Sequence, residues 1–473
     1  MRYLLALGGF LLISGVTTAQ NLLGISTSRY GGTNRLYINP SLAADSPSKI
    51  FFNGFTANIS ANNNYFRFQA PFSLLRYITG SVQSQYKNPD GSIRFDVDYT
   101  REILDGNRKN GTLAGEVRGP AILIKTGQYS ALAVTTRLRA VGQVVNASQS
   151  LLSALRSGLG DRALYSIPTD DNQFSLNTNT YAELGVTYAN TLWEGDGQKL
   201  LVGLTAKLLV GYNAQHAINR GANYRIVADP VNINNAYLEL NQLDATIGYT
   251  TFLKNRSITP RTLFSADSPG RGFGFDLGMT YLNQYDADSP ALRLGVALTD
   301  VGGLTYKGEQ YDYANISQNP VRFTNNDFTR ITGSLDALQS FQDKLNTGRS
   351  PDKTSFRAGL PTSLNLTADF QAPSGFGVNV TYFQDVRSRW ALAVHQPTML
   401  AVVPRYDARW LSLSLPVAYL NYSLTAGASV RVGPGWLGTD NLLGLLGNTS
   451  NGIRPRGLDI YAGFAFGIGR VEE

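Results

Sequence analysis

Apolar and polar residues alternate with a period of two along much of the chain. In the segment from Leu200 to Tyr212, one face is aliphatic and the other carries Gly, Thr and Lys, with Leu209 as the exception: Val202, Leu204, Ala206, Leu208 and Val210 oppose Gly203, Thr205, Lys207 and Gly211. A period of two is typical of a β-strand whose faces meet different surroundings. The segment is therefore predicted to be a strand. Tyr181–Thr191 shows the same pattern and is joined to it by the turn signal Glu194-Gly195-Asp196-Gly197.

The same alternation recurs in at least four other places. Apolar faces run through residues 132–138, 273–281, 292–298 and 458–468, and the opposing faces are rich in Gly, Ala and Thr. Aromatic residues stand toward the strand ends, as they do at the lipid–water boundary of membrane barrels. We count about fourteen strands, roughly 12 to 16, an even number in this range being usual for such barrels. The predicted fold is all-β: a transmembrane antiparallel β-barrel over residues 51–473.

Five long polar connections interrupt the alternating segments. They are residues 76–118, 141–178, 213–236, 253–270 and 307–354. Barrels of this class have long loops at their outer end. These connections are therefore predicted to be loops on the outer face or plugs in the lumen.

Composition narrows the class of protein further. Charged residues make up 16 % of the chain, against about 25 % in an average soluble protein. The mean hydropathy of -0.14 is too low for a helical membrane protein. The net charge of +7 is spread along the chain without a basic run, so no nucleic-acid partner is expected. Since the chain has no Cys, zinc fingers, iron–sulfur clusters and thiol catalysis are excluded.

The first twenty residues resemble a secretory signal peptide. Arg2 supplies a positive start, the stretch from Leu4 to Val16 is mainly apolar, and Thr17-Thr18-Ala19 provides small residues before a cleavage site. The apolar stretch is shorter than the approximately 20 residues of a membrane-spanning helix. Residues 1–19 are therefore predicted to be removed, and residues 20–50 to precede the barrel as a plug or periplasmic segment.

Eight charged residues lie opposite apolar, lipid-facing positions and are predicted to face the lumen: Arg137, Arg139, Glu183, Lys207, Asp276, Arg293, Arg357 and Asp369. An Arg or Lys in the middle of the lipid-facing surface costs about 2–4 kcal/mol. Both signs occur among them. The favoured interpretation is that they pair as structural ion pairs; the alternative is that they line a polar path.

Motifs for catalysis are sparse. The two histidines, His216 and His395, would each allow a hydrolase of the Ser-His-Asp kind, but no Gly-x-Ser-x-Gly elbow marks a nucleophile. No His, Asp and Glu grouping has the spacing of metal ligands. We therefore expect no enzymatic activity, no catalytic residue, no metal and no cofactor, and keep an outer-membrane hydrolase as a remote alternative.

The segment Tyr30-Gly31-Gly32-Thr33-Asn34-Arg35-Leu36-Tyr37-Ile38-Asn39-Pro40-Ser41 resembles the start of uncharacterised Bacteroidota outer-membrane barrels. These are similar to FadL-like transporters and to PorV- and PorP-type barrels of the type IX secretion system. In those families an Asn-Pro element, here Asn39 and Pro40, precedes the first strand. The stretches 294–303, 360–364 and 431–442 resemble the same family in the same order.

The resemblance implies a barrel in the cell outer membrane with an N-terminal segment that plugs the lumen. It also implies contact with membrane lipid and with the barrel-assembly machinery. The expected function is passage or binding of a small amphipathic or hydrophobic ligand. The alternative is an accessory subunit that binds proteins of a secretion or surface-assembly complex.

Overall fold

The computed structural model describes residues 22–94, 96–157, 159–166, 169–231, 235–254, 259–263, 265–286, 289–314, 320–324, 327, 334–345 and 349–470. The predicted signal peptide, residues 1–19, lies outside this part of the chain. Among the described residues, no helix is long and apolar enough to cross a bilayer.

Most of the described chain is β-strand. The strands are β1 (Ser48–Asn63), β2 (Phe66–Phe68), β3 (Thr100–Glu102), β4 (Lys109–Arg118), β5 (Ala121–Lys125), β6 (Ser130–Ala147), β7 (Thr169–Gly195), β8 (Gln198–Ala228), β9 (Ala236–Tyr249), β10 (Gly270–Asn283), β11 (Ala291–Tyr313), β12 (Val321–Thr324), β13 (Lys353–Gly359), β14 (Ser363–Gln371), β15 (Phe376–Asp385), β16 (Met399–Asp407), β17 (Leu411–Ser414), β18 (Val417–Leu420), β19 (Ser423–Ala426), β20 (Ala428–Val432), β21 (Gly435–Thr439) and β22 (Gly457–Arg470).

The helices are short. They are α1 (Leu23–Ser26), α2 (Leu74–Ile78), α3 (Gln149–Arg156), α4 (Pro260–Leu263), α5 (Ser334–Leu345) and α6 (Leu442–Leu446), with 3₁₀ turns at Arg29–Tyr37, Pro40–Ala43, Ser84–Tyr86, Val97–Tyr99 and Arg162–Leu164.

The large sheet closes on itself. β1 pairs antiparallel with β22 on one side and with β4 and β5 on the other. Six pairs of strands lie end to end between the same neighbours and act as single barrel strands: β4 with β5, β9 with β10, β11 with β12, β13 with β14, β17 with β18, and β19 with β20. The ring therefore has 14 antiparallel strands, which confirms the predicted fold and strand number. β2 and β3 form a separate two-stranded sheet.

The outer surface of the ring is an apolar belt. Large hydrophobic side chains are exposed on nearly every strand, including Leu132, Val134, Leu184, Val186, Leu204, Leu208, Leu277, Met279, Leu294, Val296, Leu366, Val402, Leu413, Val430 and Phe466. Such a continuous apolar surface is favourable only in contact with lipid. The belt explains why the chain has so few charges.

The two ends of the barrel differ. Residues 196–197, 372–375, 408–410 and 433–434 are short turns, and Ser48 and Arg470 pair at the same end. The other end carries the long connections 64–108, 386–398 and 440–456. In barrels of this class, short turns are periplasmic and long loops face outward. We call the two ends inner and outer accordingly.

The prediction that the five polar connections are loops or plugs is wrong in part. β4 lies within residues 76–118, and β6, β7, β8 and β11 continue well into three of the other four segments, 141–178, 213–236 and 307–354. β7 and β8 have 27 and 31 residues and rise beyond the belt on one side of the barrel. Beyond the belt no lipid enforces apolar side chains on the outer face, so the alternation that identifies a strand is lost.

The N-terminal segment lies inside the barrel. From Leu22 to Ala44 nearly every residue is buried. Its hydrogen bonds reach different parts of the ring. The Leu23 main-chain amide donates to Asp440 at 2.9 Å, Ser28 donates to Asp407 at 2.7 Å, and the Asn39 side chain donates to Thr280 at 3.1 Å. We call residues 22–47 the plug. Its presence agrees with the expected plugging of the lumen.

Glycines in the wall allow the plug to approach closely. A Cβ added at Gly203 would lie 2.5 Å from both Pro40 C and Ser41 N, which are main-chain atoms of the plug. Gly278 faces side-chain atoms of Asn39 and Pro40. The wall can therefore touch the plug backbone only where no side chain intervenes.

We predict that Gly203→Val displaces the plug, because main-chain atoms cannot yield to the added Cβ as a flexible side chain would. Overpacking of this kind costs about 1–3 kcal/mol or more. In planar bilayers the variant should show higher conductance than the wild type. Gly221→Val in the same strand is the control, since a Cβ there meets no atom within 4 Å. Equal conductance of Gly203→Val and Gly221→Val would contradict the prediction.

Candidate functional site in the barrel lumen

A network of buried charges crosses the lumen above the plug. Arg137 on β6 donates to both carboxylate oxygens of Glu183 on β7 at 2.7–3.0 Å. The two residues are direct partners in the strand register. Lys207 on β8 lies 2.6 Å from Asp276 on β10. Neighbouring strands thus supply opposite charges at the same position or two residues apart in the register.

Asp300 on β11 joins these pairs into one cluster. Its carboxylate accepts from Arg137 at 3.1 Å, and lies 2.7 Å from Arg139 and 2.5 Å from Lys207. Sequence reasoning missed this residue because Asp300 has a left-handed backbone, with φ of 55°. The register between β10 and β11 also shifts at Phe275/Leu277, so the period of two is broken there.

Glu116 and Arg118 complete the cluster from β4 and pair with each other. The alternation does not reveal them because residues 76–118 are predicted to be a loop or a plug. The cluster then holds equal numbers of cations and anions: Arg118, Arg137, Arg139 and Lys207 against Glu116, Glu183, Asp276 and Asp300. This balance supports the interpretation as structural ion pairs over that of a polar path.

The plug inserts an aromatic ring into this cluster. The guanidinium carbons of Arg118 and Arg137 lie 4.3 and 4.4 Å from the centroid of the Tyr37 ring. Arg118 also donates to Asn34 of the plug at 3.3 Å. Cation–π contacts between desolvated groups are worth about 2 kcal/mol. The cluster therefore fastens the plug as well as the wall.

A second network lies between the plug and strands β11, β14 and β16. Asp45 of the plug accepts from Arg35 at 3.0 Å and from Arg293 of β11 at 2.9 Å. Burial alone would raise the pKa of Asp45, but the guanidinium groups of Arg293 and Arg35 hold it below its ordinary value. Asp45 therefore stays ionised and links the plug to the wall.

The second network continues along the wall. Asp369 on β14 lies 3.6 Å from Arg293 and 2.6 Å from Arg405 of β16, whose Nε donates to Asp407 at 2.9 Å. Seven of the eight predicted lumen residues, all except Arg357, are thus buried inside the barrel.

The predicted lumen position of Arg357 is wrong. Its side chain is exposed on the outer face of β13, while its neighbours Phe356 and Ala358 are buried. Residues 360–362 interrupt the strand between β13 and β14. Inward positions in β14 have odd numbers, such as Asn365 and Asp369, whereas those in β13 have even numbers. The interruption shifts the alternation by one residue.

The motif Asn39-Pro40 anchors the plug to β10. The Asn39 amide donates to the Met279 carbonyl and the Thr280 hydroxyl, both at 3.1 Å, and its Oδ1 accepts from the Ser41 amide at 3.0 Å. Pro40 occupies the first position of the following 3₁₀ turn, where its missing N–H is not needed. The motif is therefore a cap and a tether.

Both histidines are buried on the outer side of the first network, which is the cluster of charges around Asp300. His395 Nδ1 lies 2.8 Å from Asp385, and His216 Nδ1 lies 2.7 Å from Asn177. Within the described residues neither Nε2 atom has a hydrogen-bond partner, so no hydroxyl is placed for activation as a nucleophile. The described part of the chain also holds no cluster of three or more potential metal ligands.

The connection 386–398 carries His395 across the lumen. The His395 amide donates to the Gln143 side chain of β6 at 2.8 Å, and Gln143 donates back to the His395 carbonyl at 2.9 Å. Gln143 and His395 thus join the connection after β15 to a strand elsewhere in the ring. The connection therefore narrows the lumen between the first network and the outer end.

A cleft opens at the outer end, between the top of β1 and the connections 64–108 and 440–456. Its cavity volume is about 40 Å³, and it is lined by Ala61, Asn62, Asn63, Phe66, Phe68, Leu74, Thr100, Thr112, Pro455, Arg456, Gly457 and Leu458. The Asn62 side chain is 5 % exposed, and its Nδ2 has no hydrogen-bond partner in the described structure. The cleft thus joins an apolar lining to an unused polar group, and a small molecule would enter it by parting the side chains of the two flanking connections. We call it the outer cleft.

Residues 40–440 match a family described as a family of unknown function, DUF5723. The chain belongs to this family. No curated protein matches it. The family assignment agrees with the resemblance to an uncharacterised group and does not assign an activity.

The DUF5723 chain is similar in structure to several outer-membrane proteins. They include the Pseudomonas putida toluene transporter TodX (TM-score 0.39, 9 % identity, 96 % of this chain and 99 % of that chain covered). For the Ralstonia pickettii toluene transporter TbuX the TM-score is 0.39 and the sequence identity 11 %, and the match covers 96 % of this chain and 98 % of that chain. For a Pseudomonas aeruginosa FadL homologue the TM-score is 0.30 and the sequence identity 9 %, and the match covers 96 % of this chain and 98 % of that chain.

At these identities and TM-scores the likenesses carry no argument about the function of the DUF5723 chain. A FadL homologue is among the neighbours, as the resemblance led us to expect. The expected similarity to PorV- and PorP-type barrels and the Bacteroidota origin stay predictions.

We predict that Asp300→Asn destabilises the barrel by about 3–5 kcal/mol, because it leaves buried cations without their counter-charge. The measurement is unfolding in urea, followed by the gel mobility of folded and unfolded protein. Asp90→Asn serves as the control, since Asp90 lies in an exposed turn. A midpoint for Asp300→Asn equal to that of the control would show that the network is not important for stability.

Proposed function

We propose that this protein is a non-enzymatic barrel of the cell outer membrane that binds a small amphipathic ligand in the outer cleft. The apolar belt and the contrast between short turns and long loops support the location. The outer cleft is the observation that supports the ligand. Its lining of Phe66, Phe68, Leu74 and Leu458 suits an aliphatic or aromatic body.

The polar end of the ligand is proposed to meet Asn62. The Oδ1 of Asn62 already accepts a hydrogen bond from Asn421 at 3.1 Å, whereas the Nδ2 of Asn62 donates to no described residue. A buried donor without a partner costs about 1–3 kcal/mol, which a ligand oxygen would recover. The proposed ligand therefore carries a hydroxyl, carbonyl or carboxylate oxygen at one end of an apolar body.

Passage beyond the cleft requires movement inside the barrel. The plug lies between the outer cleft and the inner end. The connection 386–398 crosses the lumen level with the cleft, because its His395 is bonded to Gln143, the register partner of the cleft residue Thr112. Binding is therefore proposed as the resting activity. Passage would follow only when these two segments are displaced.

The closed interior favours one alternative function, that of an accessory subunit in a secretion or surface-assembly complex. Such a role needs a rigid barrel and no open pore. The ion pairs between the plug and the wall, including Asp45 with Arg293 at 2.9 Å, provide such rigidity. A protein that binds no small molecule but co-purifies with a partner after mild cross-linking would favour this alternative.

We predict that the purified protein in nanodiscs binds decanol more tightly than decane, because only decanol offers an oxygen to Asn62. Phe68→Ala should weaken decanol binding about tenfold, since it removes an aromatic wall of the cleft. Asn62→Ala should abolish the preference for decanol over decane. Isothermal titration calorimetry measures both effects.

Phe323→Ala is the matched control for this experiment. Phe323 is 2 % exposed and stacks on Phe341, with 4.9 Å between the two ring centroids, in an apolar cluster away from the cleft. It should lower stability as Phe68→Ala does and leave decanol affinity unchanged. Equal loss of affinity in both variants, or no binding by the wild type, would contradict the proposed ligand site.

A further inference from the structure

A row of cations crosses the outer face of three adjacent strands. Arg271 on β10 pairs in register with Thr305 on β11, which pairs with Arg357 on β13. All three side chains are exposed. Lys307, two residues beyond Thr305, is exposed on the same face. We call Arg271, Lys307 and Arg357 the basic patch.

The basic patch borders the apolar belt. On β10, Phe273 and Phe275 follow Arg271 with 72 % and 40 % of their side chains exposed, and Leu277 and Met279 continue the belt toward the inner end. The patch lies on the side of the belt that carries the long connections. Adjacent strands are about 4.8 Å apart, so Arg271 and Arg357 are separated by about 10 Å along the row.

The charges of the patch are not neutralised by the described residues. Arg357 and Lys307 have no side-chain hydrogen bond or ion pair within the part of the chain that the structure describes. Arg271 donates to the Ser268 hydroxyl and to main-chain oxygens of residues 266, 268 and 270. These partners hold the guanidinium in place without cancelling its charge.

A fourth cation stands beside the row. Arg387, from the connection after β15, donates to the Leu360 carbonyl at 2.8 Å and to the Gly302 carbonyl at 2.5 Å. These side-chain partners are neutral, while its main-chain N–H donates to the Asp385 carboxylate at 3.0 Å. Like charges grouped on a surface repel one another, and an anion bound between them removes that repulsion.

We propose that the basic patch binds the phosphate groups of a phosphorylated lipid in the outer leaflet. This inference rests on the proposed location in the outer membrane. Arg and Lys are the side chains that bind phosphate oxygens, and basic groups next to a membrane span recognise anionic headgroups. The belt below the patch receives the acyl chains of the same lipid, which favours a lipid over free phosphate.

The test compares two lipids with the same acyl chains, bisphosphorylated lipid A and its dephosphorylated form, bound to the detergent-solubilised full chain. Native mass spectrometry measures the fraction of protein that retains a lipid. The wild type should retain the phosphorylated form preferentially. Lys307→Gln and Arg357→Gln should each weaken retention about fivefold, and the double variant should lose the preference.

Lys49→Gln is the matched control, because Lys49 is an exposed cation on β1 at the inner end. It should retain lipid A as the wild type does. Equal retention of the two lipids by the wild type, or full retention by the double variant, would overturn the proposal. Displacement of lipid A by millimolar inorganic phosphate would also overturn it, in favour of a free-anion site.

The outcomes separate this inference from the proposed function. A double variant that loses lipid A but binds decanol normally supports the basic patch and leaves the outer cleft intact. A wild type without lipid preference that still binds decanol overturns the patch alone.

Discussion

The cost of placing charge in hydrocarbon determines how this barrel is built. An Arg or Lys on the lipid-facing surface costs about 2–4 kcal/mol at mid-bilayer, so strand charges within the belt must point into the lumen. There they are buried and must pair, because an isolated buried charge is more costly still. Asp300 shows the result: one carboxylate on β11 contacts Arg137, Arg139 and Lys207 from two other strands. The lumen is thus filled with balanced charge.

The plug depends on the same constraint. Tyr37 stacks on Arg118 and Arg137 of the first network, and Asp45 pairs with Arg293 of the second. The glycines of β8 and β10 let Asn39 and Pro40 approach the wall. The plug therefore supplies partners for the charges of the wall. The wall in turn supplies the space and the hydrogen bonds that hold the plug, which contains no strand, in one conformation. Neither part is complete alone.

The alternation of apolar and polar residues predicted the barrel, its strand number and seven of the eight lumen charges because lipid imposes that alternation on every strand in the belt. It was uninformative where lipid is absent or the backbone departs from a regular strand. Glu116 and Arg118 were hidden in a supposed loop, Asp300 lies at a left-handed residue, and the interruption at 360–362 reversed the face of Arg357. The outer cleft joins residues far apart in sequence, which no local pattern can show.

The pairing of plug and wall has a consequence for where a ligand can act. Withdrawal of the plug would leave Arg293 without Asp45, its partner at 2.9 Å, and would remove Tyr37 from between two guanidinium groups. Both losses expose charge in a confined space, where water screens it poorly. A small ligand that gains a few kcal/mol on binding cannot offset them by itself. Binding in the outer cleft needs no such displacement, because the residues that line the cleft belong to the strands and connections of the outer end and not to the plug. The electrostatics of the lumen thus favour a ligand that is recognised at the outer end before, and independently of, any opening of the barrel.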